Sequence, residues 1–145
     1  MGNENRFKMS QERLDELKKE LEYLQTVREK EVAEQIKEAL LAAGLWPALT
    51  QRPYGIIANP ETKPKAIFVS SFSTAPLAAN LDYALNEELA NIQTAVDALA
   101  KLTDGGVHVG IGGANESVTP FRKLQNVTLH TFEGKHPAGN VGVQI

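Results

Sequence analysis

The chain has 145 residues, 42% of them apolar, a formal net charge of −3 and no cysteine. That leaves room for one ordinary domain, or a small domain with an appendage, and enough apolar matter to fill a core. The acidic balance argues against a general grip on nucleic acid, and the missing cysteines exclude disulfides, thiolate zinc centres and cysteine nucleophiles. No window reaches the ~18 apolar residues of a membrane span, and the opening residues lack the apolar stretch of a signal peptide.

Charge is unevenly spread, with 18 of the 33 charged side chains in residues 1–40. Such a shift marks a domain boundary, expected here between residues 38 and 39. Ser10 is placed to cap a helix with Glu12 in its first turn. Leu14, Leu17, Leu21 and Leu24 follow at the 3-4-3 spacing of a coiled-coil seam, which predicts self-association through these four leucines. Arg28 and Glu31 then occupy the seam, and Val32, Ile36 and Leu40 resume an apolar stripe in a new phase. No Gly or Pro interrupts the run before Gly44, a good residue for the position just past a helix end. The stretch Leu14-Asp-Glu-Leu-Lys-Lys-Glu-Leu-Glu-Tyr-Leu-Gln-Thr-Val-Arg28 resembles the first coiled-coil helix of Gre-type transcript cleavage factors. The resemblance implies a helical arm for RNA polymerase. It stops short of cleavage, because Leu40-Leu-Ala-Ala-Gly-Leu-Trp-Pro47 stands where an acidic, metal-holding tip and a returning helix would be.

Beyond the arm, Trp46-Pro-Ala-Leu-Thr-Gln-Arg-Pro-Tyr54 reads as an aromatic, basic loop. Ala66 to Ser70 is a short apolar run between prolines (Pro60, Pro64 and Pro76), read as a strand buried on both faces. It opens into the hydroxyl-rich loop Ser70–Thr74, and in strand-loop-helix units ligand sites gather at the carboxyl ends of strands. Leu85, Leu89, Ile92, Val96 and Leu99 form one helical stripe, with Asn86 as its expected N-cap. Thr103-Asp-Gly-Gly106 stops that helix. Strands are expected over Val107–Ile111 and Asn126–Phe132, with a short helix between Val118 and Leu124. This order predicts an α/β fold with a small Rossmann-like parallel sheet, flanking helices and right-handed crossovers, preceded by the long helix. Three strands make a small sheet, which points to a piece of a larger protein.

Four of these blocks, Gly44-Leu-Trp46, Arg52-Pro-Tyr54, Ala75-Pro-Leu-Ala78 and His136-Pro-Ala-Gly139, are similar in order and spacing to the A subunit of the bacterial sodium-pumping NADH:quinone oxidoreductase. The resemblance covers about residues 36–145. It implies a peripheral subunit on the cytoplasmic side of the inner membrane, partnered by the other subunits, with no tightly held cofactor and no NADH oxidation by the chain alone. Ser73 departs from the family pattern, which often has Asp there. An arm of one kind joined to a body of another implies a fusion near residues 31–42.

Several motifs are weaker than they look. Gly110-Ile-Gly-Gly-Ala-Asn115 breaks the G-x-G-x-x-G pattern at Asn115 and reads as a flexible loop. His108 and His130 fall in strands, His136 in a turn, and nothing local supplies a metal with converging ligands. There is no nucleophile elbow. The best candidate site is the loop itself. Trp46, Leu49 and Tyr54 offer apolar walls and Arg52 a donor, the mixture a flat ring with carbonyl oxygens requires. The family resemblance implies ubiquinone contact over Leu49 to Ile56, centred on Arg52, Pro53 and Tyr54. In the plainer reading, Trp46 and Tyr54 dock the long helix on the sheet.

Overall fold

The computed structural model describes residues 11–113 and 119–145. The expected cap Ser10, the end of the glycine stretch (Ala114 and Asn115) and Val118 lie outside the described residues. A single helix, α1 (Gln11–Ala42), runs 32 residues without a break through the expected boundary at residues 38 and 39. It is roughly 48 Å long at 1.5 Å per residue. None of its residues is fully buried. Gly44 ends it at φ +70°, with the Leu45 N–H donating to the Leu40 carbonyl and the Gly44 N–H to that of Leu41. This is the αL closure with paired 6→1 and 5→2 bonds, which needs a residue free of Cβ strain.

One turn of 3-10 helix (Trp46–Ala48) follows, then a two-stranded antiparallel hairpin of β1 (Thr50–Gln51) and β2 (Ile56–Ile57). The body is a three-stranded sheet with α2 (Leu81–Ala84) and α3 (Leu89–Ala100) between its first two strands. These are β3 (Ile67–Ser70), β4 (Val107–Gly112) and β5 (Val127–Phe132). Their order is β3-β4-β5, parallel throughout, with Val69 level with Val109 and Val109 level with Leu129. A short α4 (Val141–Gln144) closes the chain.

The core lies on one side of this sheet. Val107, Val109 and Ile111 are almost wholly buried, and with Ile67, Val69, Val127 and Leu129 they meet Leu89, Ile92, Val96 and Leu99 of the helical stripe. Phe121 and Leu124 complete it from the connection before β5. The expectation that β3 is buried on both faces is corrected: it is an edge strand, and Phe68 on its outer face is 39% exposed. Burial on both sides requires a central position and helices on both faces. The central position belongs to β4.

Two helix boundaries also differ from expectation. The stripe is split, because the Leu85 N–H closes α2 onto the Leu81 carbonyl and α3 starts only after Glu88. Asn86 is therefore not the cap. Asn80 caps α2 instead, its Oδ1 accepting from the Tyr83 N–H at 3.2 Å. The short helix expected between Val118 and Leu124 is, among the described residues, one turn of 3-10 helix over Pro120–Lys123.

Candidate functional site

Three places gather chemistry. The first is the hairpin singled out from the sequence. Trp46 is buried, and its indole Nε1 donates to the Ala58 carbonyl at 2.7 Å, so the ring pins the 3-10 turn to the strand exit. The Ala58 N–H in turn donates to the Leu49 carbonyl, and Leu49 is half-buried. Trp46 is thus a docking residue, but it fastens the turn to the hairpin exit rather than the long helix to the sheet, as the plainer reading had it. Tyr54 points the other way, 82% exposed at the hairpin tip, with Ile56 and Ile57 exposed behind it. Pro53 follows a cis peptide bond, and Gly55 at φ +67° turns the chain back. The Arg52 guanidinium packs against Gly142 of α4, so close that a Cβ there would meet Nη1 at 2.9 Å. The tip therefore combines an outward aromatic ring, two aliphatic chains and a cation.

The second place is a cleft of about 210 Å³ at the carboxyl end of the sheet. It is lined by Ser71 to Thr74, Asp82, Gly112, Gly113, Thr119, Phe132, Glu133 and Gly134. The parallel topology dictates its position. The Thr119 hydroxyl donates to the Asp82 carboxylate. The buried Ser71 hydroxyl donates to the Gly110 carbonyl at 3.0 Å. Among the described residues two carboxylates and no cation line it, a wall chemistry that repels phosphate. Next to it, at Thr74, two distant motifs join. The Gly139 N–H donates to Thr74 Oγ1 at 3.0 Å, and the Ser70 hydroxyl donates to the Gly139 carbonyl at 3.1 Å. A Cβ at Gly139 would fall 2.6 Å from the Thr74 nitrogen, so the His136-Pro-Ala-Gly139 block requires its glycine. Ser73, at the position where the family pattern often has Asp, lies on the rim and accepts from the Ala75 N–H.

The third place was not found by sequence reading. On the sheet face away from the core, Phe68, His108, His130 and Phe132 form a row of rings with centroids 4.9, 5.2 and 6.3 Å apart. His108 Nδ1 and His130 Nε2 are 2.9 Å apart, within hydrogen-bond reach. Gly110 and Gly112 belong to β4 rather than to a loop, and their missing side chains leave room on this face for Gln144 and Phe132 over Gly110 and for Phe72 over Gly112. Period-two alternation, which puts His108 and Gly110 on the face opposite Val107 and Val109, was the available signal.

A parallel three-stranded sheet with its helical layer and carboxyl-end cleft defines a Rossmann-like α/β domain. The particular family follows from comparison: residues 31–145 match the NqrA second alpha/beta domain, and the chain belongs to that family. Residues 7–44 match a second family, the N-terminal part of transcription elongation factors, so the two matches overlap along the carboxyl half of α1. The chain is 43% identical over 113 residues to the A subunit of the Na(+)-translocating NADH-quinone reductase of Serratia proteamaculans. That covers 77% of this chain and 24% of the relative. The corresponding A subunits of Yersinia pseudotuberculosis and Vibrio alginolyticus are 41% and 38% identical over 112 residues, again 77% of this chain. The chain spans about a quarter of the length of these relatives. Among the described residues no helix is long and apolar enough to cross a membrane.

Proposed function

We propose that the body of this chain serves as an α/β domain in the A subunit of a Na⁺-translocating NADH-quinone reductase, held by the other subunits at the cytoplasmic face of the membrane. In that setting electrons pass from NADH to quinone and sodium is exported. The domain contributes structure and a quinone contact, with no tightly bound cofactor and no NADH oxidation of its own. The observation that carries this reading is the family match over residues 31–145, which takes in the hairpin, the sheet and the Ser70–Thr74 loop. The quinone contact falls on Leu49, Arg52, Pro53 and Tyr54, which offer an exposed ring and, two residues before it in sequence, a guanidinium able to donate to a carbonyl oxygen. A short-chain ubiquinone titration followed by Trp46 fluorescence tests it. Saturable quenching, weakened at least ~10-fold in Arg52→Ala, is expected for loss of a charged hydrogen bond. Quenching that is absent, or unaltered in the variant, overturns the quinone contact. Failure to co-purify with the other reductase subunits overturns the assignment to the complex.

The amino-terminal arm, residues 1–38, acts in this proposal as an oligomerising handle on the 39–145 body. Leu17, Leu21 and Leu24 are exposed and Leu14 half-buried along one stripe, an apolar seam that a second helix would cover. Light scattering that shows a monomer even at high concentration would refute it. The match of residues 7–44 favours a second reading of the arm, a coiled-coil contact to RNA polymerase, for which polymerase pull-down is the test. Transcript cleavage is not part of that reading, because α1 is followed by the Trp46 turn and a β-hairpin where a returning helix would be needed.

A further inference from the structure

From the charges that interrupt the arm's leucine seam we infer that the partner of α1 is the α1 of a second copy of this chain, laid antiparallel to it. The inference rests on the reading of the arm as an oligomerising handle, and adds the identity and direction of the partner. Only part of α1 is open to one. Its carboxyl end touches the Trp46 turn, and Ile36, Lys37 and Leu40 there are half-buried. Leu17, Leu21 and Leu24 are exposed nearer the amino end, on a helix that runs through them without a break.

With Leu14 and Leu21 at heptad position a, and Leu17 and Leu24 at d, the seam continues to Arg28 at a and Glu31 at d. In a parallel pair each seam residue faces its own counterpart, so Arg28 meets Arg28 and Glu31 meets Glu31. On both flanks of that pair the g residue Arg13 meets the e residue Lys18 of the second copy. Each of these contacts sets like charge against like, the device by which interfaces reject a wrong arrangement. An antiparallel pair sets a against d instead. Leu14 then faces Leu24 of the second copy and Leu17 faces its Leu21, so all four leucines are covered and the overlap is centred on Lys19. Arg28 and Glu31 fall outside the leucine block and neither meets itself. Lys18 and Glu20 do approach their own counterparts near the centre, but on the exposed flanks, where a charge pair is screened and counts for little. The leucine contacts are equal in number in the two arrangements, so the seam charges decide. The two bodies then hang from opposite ends of the rod.

The chain has no cysteine, so single cysteines in the full chain report the direction. Leu17→Cys and Leu21→Cys proteins, mixed and oxidised, should give the mixed disulfide and little of either homodimer. Spin labels on Lys19→Cys and Lys30→Cys, both exposed and off the seam, give a second readout that leaves every leucine in place. Pulsed electron–electron resonance is recorded at a concentration where light scattering shows the dimer. The Lys30 labels should then lie about 33 Å apart along the rod at 1.5 Å per residue, and the Lys19 labels should show no offset along it. Adding Leu21→Glu should abolish both distances. Homodimeric disulfides in each variant alone, or Lys30 labels as close as the Lys19 labels, would overturn the antiparallel pairing and leave the handle standing. A mass above that of two copies would overturn the pairing as well. A monomer at high concentration would overturn the handle itself, and the pairing with it.

Discussion

The arm and the body of this chain solve the burial problem in opposite ways. None of the 32 residues of α1 is fully buried, while β4 alone, six residues long, has four that are. Both are regular secondary structure. A helix satisfies its backbone within itself, so it can be written with leucines that no described part of its own chain fully buries. A parallel strand has its backbone partners elsewhere in the sequence, and pairs of that kind form only around a shared core. Stability of the monomer therefore resides in the β4–α3 layer, and the arm's apolar seam is available to another molecule.

Substitutions on each side sharpen this contrast. Phe121→Ala, at the floor of the core, should cost about 3–5 kcal/mol in urea unfolding. Gly139→Ala forces a methyl group against the Thr74 backbone and should cost about 1–3 kcal/mol, with the largest chemical-shift changes over Ser70–Thr74. Trp46→Phe removes the donor to the Ala58 carbonyl and should cost about 1–2 kcal/mol. Lys63→Ala breaks an exposed ion pair to Asp104 and should change the unfolding free energy by less than about 1 kcal/mol. Leu21→Ala in the arm, where the leucine is 58% exposed, should leave the body's unfolding unchanged while lowering the mass seen by light scattering. A core-sized loss for Leu21→Ala would erase the distinction between the two regions.

The parallel sheet, its strand limits to within a residue or two and the role of Gly44 were legible because periodicity and glycine chemistry act locally. Strand order was not. Ala66–Ser70 reads as a strand covered on both faces since apolar content records hydrophobicity and not the number of neighbours, and the edge position of Phe68 is a tertiary outcome. The break at Leu85 was hidden for a similar reason: the apolar stripe continues through a turn whose capping residue, Asn80, lies upstream of the pattern. Of the candidate site, the exposed tip around Arg52 and Tyr54 could be anticipated, as could hydroxyls at the strand ends. The convergence of His108 with His130 could not be read from either residue alone, since it depends on the register that sets Gly110 opposite His130.

Amide hydrogen exchange on the full chain at low micromolar concentration tests the division of labour most directly. The account predicts that Val107, Val109 and Ile111 exchange only through global unfolding, while the amides from Leu14 to Glu31 exchange orders of magnitude faster and slow down as concentration rises. Arm amides protected as strongly as those of β4 in the dilute monomer would contradict it.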